Sequence, residues 1–145
     1  MDNEYDDIVK DILDNKEFNK LKEYKHHGIT RYDHVLRVSK WAYKVSKKWK
    51  LDYVSATRAG LLHDFFFVNN QEVKLSYRIK VLFIHPKMAL ENSKKYFKLN
   101  KKEERIILSH MFPVGLCIPL SLEGWIVNIA DDIASIYERF KSIFK

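Results

Sequence analysis

Residues 30–49 read TRYDHVLRVSKWAYKVSKKW, and this stretch decides the fold. Thr30 is a helix N-cap residue: its hydroxyl can accept from a backbone N–H that the first turn leaves without a partner. Behind it His34, Val38, Ala42, Val45 and Trp49 recur at spacings of three and four, the period of one helix face. Lys40, Lys44, Lys47 and Lys48 fall mostly off that stripe. The reading is a long amphipathic helix with a histidine on its inward face.

Working outward, the same rules predict helices on both sides. Residues from Tyr5 to Tyr24 form one or two short helices, and Gly28 in the HHGIT stretch reads as a C-terminal stop. Asp52 caps the next helix, which carries Ala56, Ala59, Gly60 and His63 and whose small residues admit a close neighbour. Val68 to Lys74 is polar and reads as a loop. A short helix from Leu75 to Phe83 follows, and Pro86 fits the first turn of another that ends near Phe97. Asn100 with Glu103 forms a capping-box pair for a helix ending near Met111. Pro113, Gly115 and Pro119 mark a loop, and Ser121 opens a last helix to about Phe144. The expectation is an all-α single-domain bundle, with residues 1–25 an N-terminal helical segment packed on a domain spanning 26–145.

Composition agrees. Only 4 Gly and 3 Pro leave few tight turns, which disfavours a sandwich or barrel. One cysteine, Cys117, excludes an internal disulfide and a cysteine-based zinc site, and suits a reducing cytoplasm. The acidic start MDNEYDDIVK is unlike a signal peptide, and no apolar run is long enough to span a membrane. Residues 1–23 hold eight acids against four bases, whereas the remainder holds 22 bases against 11 acids. A basic body suits nucleic acid, an anionic surface or a phosphorylated substrate, or is simply a lysine-rich solvated surface. Nucleic-acid binding would use the lysines between Tyr32 and Trp49 with Trp41, Tyr43 and Trp49 interleaved. Those aromatics read better as core, so nucleic acid is disfavoured. Aromatic residues left outside the core would suit a homodimer face.

Chemistry concentrates in a spaced series: His34, the pair His63-Asp64, His85, His110 and Asp131. The intervals of 29, 21, 25 and 21 residues each equal about one helix plus one connection. Successive antiparallel helices can therefore point all six side chains at one place. Imidazoles and carboxylates are the ligand set for Zn, Mn or Fe. Six exceed the three or four of a single catalytic zinc and suit two metals sharing a carboxylate. Each residue has a plain alternative, such as a core histidine, a helix cap or a solvated acid. The five positions in order do not share one.

The order H…HD…H…H…D resembles the HD superfamily of metal-dependent phosphohydrolases. The segments that carry the likeness are RYDHVLRVS, AGLLHDFFF, IHPKMALENSKKYF, ILSHM and IVNIADD, within about residues 26 to 138. The resemblance implies about five core helices with the metals between them. It implies His34, His63, Asp64 and Asp131 as common ligands, His85 and His110 as the pair of two-metal members, and Asp64 as the bridge. Asp131 is taken over Asp132 because the family's last motif places a basic residue after its Asp; here Asp132 stands in that place. A second departure is the run Phe65, Phe66, Phe67 and Val68 after the doublet, where some nucleotidases carry a catalytic Glu. This run offers no general acid or base and reads as core packing.

The implied activity is hydrolysis of a phosphomonoester, phosphoanhydride or phosphodiester of a small metabolite, a nucleotide above all, by metal-activated hydroxide. Dinucleoside polyphosphates are a rival substrate class. Fe, Mn or Zn, with Mg or Co as further candidates, would be held as one or two ions per chain. Arg31, one turn before His34, can reach a phosphate bidentately, and Arg58 and Lys87 are further phosphate-binding candidates. Two other readings use the same residues: a di-iron oxygenase of this fold, and a non-catalytic metal-binding signalling module.

Overall fold

The computed structural model describes residues 3–26, 28–68 and 74–143. Most of the expected polar loop, 69–73, and Phe144 lie outside them. Seven α-helices follow in order: α1 (Asn3–Leu13), α2 (Lys16–Asn19), α3 (Arg31–Lys48), α4 (Tyr53–Leu62), α5 (Leu75–Tyr96), α6 (Lys101–Ser109) and α7 (Leu122–Ile143). The architecture is all-α. A 3₁₀ turn, Lys20–Glu23, follows α2.

The caps predicted from sequence set the helix starts. Thr30 Oγ1 accepts from Asp33 N at 3.0 Å, and Asp52 Oδ1 from Ser55 N at 3.1 Å. Asn100 and Glu103 exchange both capping-box bonds. Ser121 Oγ accepts from Gly124 N at 3.0 Å at the head of α7.

Three readings are corrected. Gly28 does not end a helix. It stands between two short antiparallel strands, β1 (Lys25–His26) and β2 (Ile29–Thr30), with a φ of +79°, the left-handed region that glycine enters without strain. Pro86 does not start a helix either. It lies inside α5, where the bond it removes would have gone to the carbonyl of Leu82. Trp49 leaves the inward stripe: it is the C-cap of α3 and largely exposed, and Trp41 also reaches solvent, while Tyr43 is buried.

The long α3 packs against α4 on one side and α7 on the other; α4 also meets α6 and α7, and α5 lies on α6. Helices α3 and α4 approach closely because Gly60 has no side chain. A Cβ there would stand 3.1 Å from Ser39 Cα. Tyr5, Val9, Ile12, Phe18 and Leu21 from the N-terminal segment share one buried cluster with Val35, Val38, Leu61, Leu62 and Val127. Residues of α3, α5 and α7, with those that follow α4 and α6, line one cavity, beside which the histidines lie.

Candidate metal centre

Each histidine of the series sits where helix geometry aims its ring inward. His34 is in the first turn of α3, His63 is the C-cap of α4, and His110 is the C-cap of α6. His85 is mid-way along α5, and Asp131 lies on the buried face of α7. All five are buried, and Asp64 is nearly so.

The four rings share one bonding pattern. His63 Nδ1 donates to Gly60 O at 2.6 Å, His85 Nδ1 to Val81 O at 3.2 Å, and His110 Nδ1 to Ile107 O at 2.7 Å. Each acceptor is a carbonyl of the helix that carries the ring. His34 Nδ1 instead donates to the carboxylate of Glu138, at 2.9 Å and 3.1 Å from its two oxygens. With every Nδ1 engaged, every Nε2 is left to face the centre, the arrangement in which a histidine ligates through Nε2.

Asp64 stands between two groups of these nitrogens. Its Oδ2 lies 3.7 Å from both His34 Nε2 and His63 Nε2. Its Oδ1 lies 3.4 Å from His85 Nε2 and 3.6 Å from His110 Nε2. Asp131 Oδ1 completes the first group, 2.8 Å from His34 Nε2 and 3.4 Å from His63 Nε2. The structure thus brings all six residues together and admits Asp131. Asp132, the next residue, lines the outer cavity.

Carboxylates and imidazoles shift one another here. Burial alone would lower the pKa of His34. Its bonds to Asp131 and Glu138 and the charges of Asp131 and Asp64 instead push it up to about 10. His63 is likewise raised against burial by Asp64 and Asp131. Burial pushes the Asp64 and Asp131 carboxyls up, but the surrounding imidazoles outweigh it and hold both below the ordinary carboxylate range. His110 is lowered, by burial first, against a raising contact with Asp64.

Two observations test whether metal ions fit. His63 Nε2 is fully buried and makes no hydrogen bond, one of two such side-chain atoms among the described residues. His85 Nε2 and His110 Nε2 lie 3.0 Å apart, although both Nδ1 atoms already donate. As neutral rings they would face lone pair to lone pair, so a proton or a cation must sit between them. Three groups of ligand atoms lie close enough to hold an ion: His34 with His63 and Asp64, His63 with His110 and Asp131, and Asp64 with His85 and His110. The nitrogen and oxygen donor set fits a divalent transition metal.

Above this centre opens a cavity of about 310 Å³, walled by Tyr24, Lys25, Arg31, Phe66, Met111 and Arg139 among others. Arg31 lines it, but not as a free cation. Its Nη1 donates to Phe66 O and its Nη2 to Val68 O at 3.1 Å, and its guanidinium lies 4.0 Å over the Phe66 ring. Burial lowers its pKa from a very high starting value. The phenylalanine run divides its work. Phe65 is core, whereas Phe66 stacks on His85 at 4.9 Å and faces the cavity.

The structure does not bring Arg58 or Lys87 to the cavity. Arg58 pairs with Asp11 at 2.7 Å and 2.9 Å, donates to Ile8 O at 2.8 Å, and lies 3.5 Å from Glu103. It ties α4 to α1. Lys87 is two residues from His85, hence on the opposite face of α5, and is exposed.

Sequence reasoning missed Glu138 and Asn128. Glu138 is buried and also receives Arg37 Nη1 at 2.6 Å. It lies seven residues after Asp131, two turns along the same face, which is the signal that could have found it. Asn128, one turn before Asp131, donates to His110 O at 3.0 Å and Phe112 O at 2.8 Å, and fixes the end of α6 against α7.

Among known families, the HD domain model matches residues 31–136, a span that contains all six residues of the centre and stops two short of Glu138. Comparison with curated proteins and with solved structures finds no match.

Proposed function

The chain belongs to the HD domain family, a superfamily of metal-dependent phosphohydrolase type, and from that premise we propose that it hydrolyses the phosphate ester or anhydride of a small metabolite, a nucleotide being the favoured class. The observation that carries the reading is the station of Asp64, with one oxygen toward His34 and His63 and the other toward His85 and His110. A carboxylate so placed suits two ions side by side. His34, His63, Asp64 and Asp131 would hold one, and Asp64, His85 and His110 the other. The donors suit Fe, Mn or Zn.

Bound divalent metal supplies Lewis acidity, polarising a phosphoryl oxygen and making water acidic enough to act as nucleophile near neutral pH. The chain's own residues do the rest. Arg31 spends one N–H of each terminal nitrogen on the carbonyls of Phe66 and Val68, which leaves each a second N–H for a phosphate oxygen. Lys25 and Arg139, on the cavity wall, take the places that Arg58 and Lys87 do not fill. Phe66, Leu82 and Met111 give the cavity an apolar side that excludes water from the phosphate. The volume, near the lower bound for ligand sites, favours a small molecule over a polymer. No helix among the described residues is long and apolar enough to cross a membrane, and one free cysteine suits a reducing cytoplasm.

The test is phosphate release from a panel of nucleoside mono-, di- and triphosphates and dinucleoside polyphosphates, using protein loaded with Mn or Fe and a chelated control. Metal-dependent release supports the reading. O₂ consumption by the iron-loaded protein with no phosphate release would overturn it.

A further inference from the structure

The outer face of α7 carries an apolar seam that the catalytic reading does not use. Leu122, Trp125, Ile129, Ile133, Ile136, Phe140 and Ile143 are exposed, from 38% at Trp125, which also meets Phe112 edge-on at 5.7 Å, to 74% at Ile143. At 100° per residue they fall in one stripe roughly 80° wide along about 32 Å of helix. Their faces sum to about 800 Å² of apolar surface, more than the largest patch of an ordinary monomer and close to one partner's share of a standard interface.

The seam also reads the same from both ends. From the start, the steps from Leu122 to Trp125 to Ile129 are three and four residues. From the far end, Ile143 to Phe140 to Ile136 are three and four again. The midpoint falls between Asp132 and Ile133. In an isologous antiparallel pair each residue meets its mirror position on an identical copy, so this spacing sets apolar residues of the outer pairs against apolar residues.

We propose that α7 pairs antiparallel with α7 of a second copy of this chain. Leu122 then meets Ile143, Trp125 meets Phe140 and Ile129 meets Ile136, each across the two-fold axis, and the two Ile133 side chains flank that axis, each opposite Asp132 of the other copy. The inward face of the same helix carries Asp131 and Glu138, so the interface holds the helix that supplies one wall of the metal centre.

Sedimentation or light scattering of the full chain at micromolar concentration tests this. The expected mass is about 35 kDa, twice 17.4 kDa. Ile136→Glu and Ile129→Lys should each give a monomer with unchanged helical circular dichroism, since both side chains are exposed. The double variant Ile129→Lys/Ile136→Glu should recover the dimer, because the antiparallel register sets position 129 against position 136. A monomeric wild type overturns the proposal, whether or not another protein occupies the face. So does a dimer that survives Ile136→Glu, or a double variant that stays monomeric.

Discussion

Glu138 holds His34 from behind: its carboxylate accepts from His34 Nδ1 at 2.9 Å while His34 Nε2 meets Asp131 at 2.8 Å. The imidazole is thus fixed in orientation by a residue outside the three groups of ligand atoms. Such outer carboxylates raise the basicity of a ligating histidine, and their loss costs about 10- to 100-fold in metal affinity. Glu138→Ala should weaken metal binding by that factor and leave the metal stoichiometry intact at saturation. Glu138→Gln, which keeps an acceptor, should fall between. Competitive chelator titration reads the affinity directly; unchanged affinity in Glu138→Ala would remove Glu138 from the centre.

Asp64 and His85 make different predictions for metal content. Asp64 faces both nitrogen groups, so Asp64→Ala should leave no stably bound metal and no turnover. His85 contacts only the second group, so His85→Ala should leave about one ion per chain in the scheme of a shared carboxylate. Elemental analysis of protein purified without chelators checks both. Two ions retained in Asp64→Ala would sink the bridging role.

Much of this centre was legible in the sequence because local rules and helix-length intervals are written there. Thr30, Asp52 and Asn100 cap helices through bonds three residues long, and spacing near one helix plus one turn brings six side chains together. What was hidden depends on contacts far along the chain. Arg58 looked like a phosphate ligand until α1 brought Asp11, 47 residues away, against it. Glu138 drew no reading at all, because the partner that gives it a role, His34, lies 104 residues away. Pro86 marked a helix start by its local preference, but α5 runs on through it and forgoes the one bond to the Leu82 carbonyl.

Arg31 should show both of its roles at once. Arg31→Ala removes phosphate donors and also releases the Phe66 and Val68 carbonyls. Charged hydrogen bonds are worth about 1.5–3 kcal/mol, so KM for a phosphorylated substrate should rise about tenfold or more. Arg31→Lys, which cannot fork across two carbonyls and a phosphate, should recover little of it. Steady-state kinetics settle the matter, and an unchanged KM would take Arg31 out of substrate binding.

Arg58 should affect the fold and leave catalysis alone. Its pair with Asp11 joins α1 to α4, and losing it also leaves buried Glu103 without its cationic neighbour. Arg58→Ala should destabilise the chain by about 2 kcal/mol, the scale of charge-assisted bonds, with KM unchanged for the folded fraction. The pH dependence has a definite sign. The guanidinium holds the Asp11 carboxyl below its ordinary value of 3.8, against a smaller raising effect of burial. The Asp11 contribution is therefore complete above the unfolded pKa and is lost as pH falls through the lowered one. Acid unfolding of Asp11→Asn should lack that component. A rise in KM without a loss of stability in Arg58→Ala would return Arg58 to the site.

Metal loading should stabilise the chain because it removes a defect of the metal-free core. His63 Nε2 is fully buried without a hydrogen bond, and the Nε2 atoms of His85 and His110 press together at 3.0 Å. An ion that binds only the folded chain adds about 2.7 kcal/mol at a hundredfold excess over its dissociation constant. For a domain of this size that raises Tm by several degrees. Thermal unfolding with and without Mn, in wild type and in His63→Ala, separates this from nonspecific cation binding. The wild type should gain and the variant should gain less, because its first group of ligands is incomplete. Equal gains in both would mean that the stabilising ion binds elsewhere.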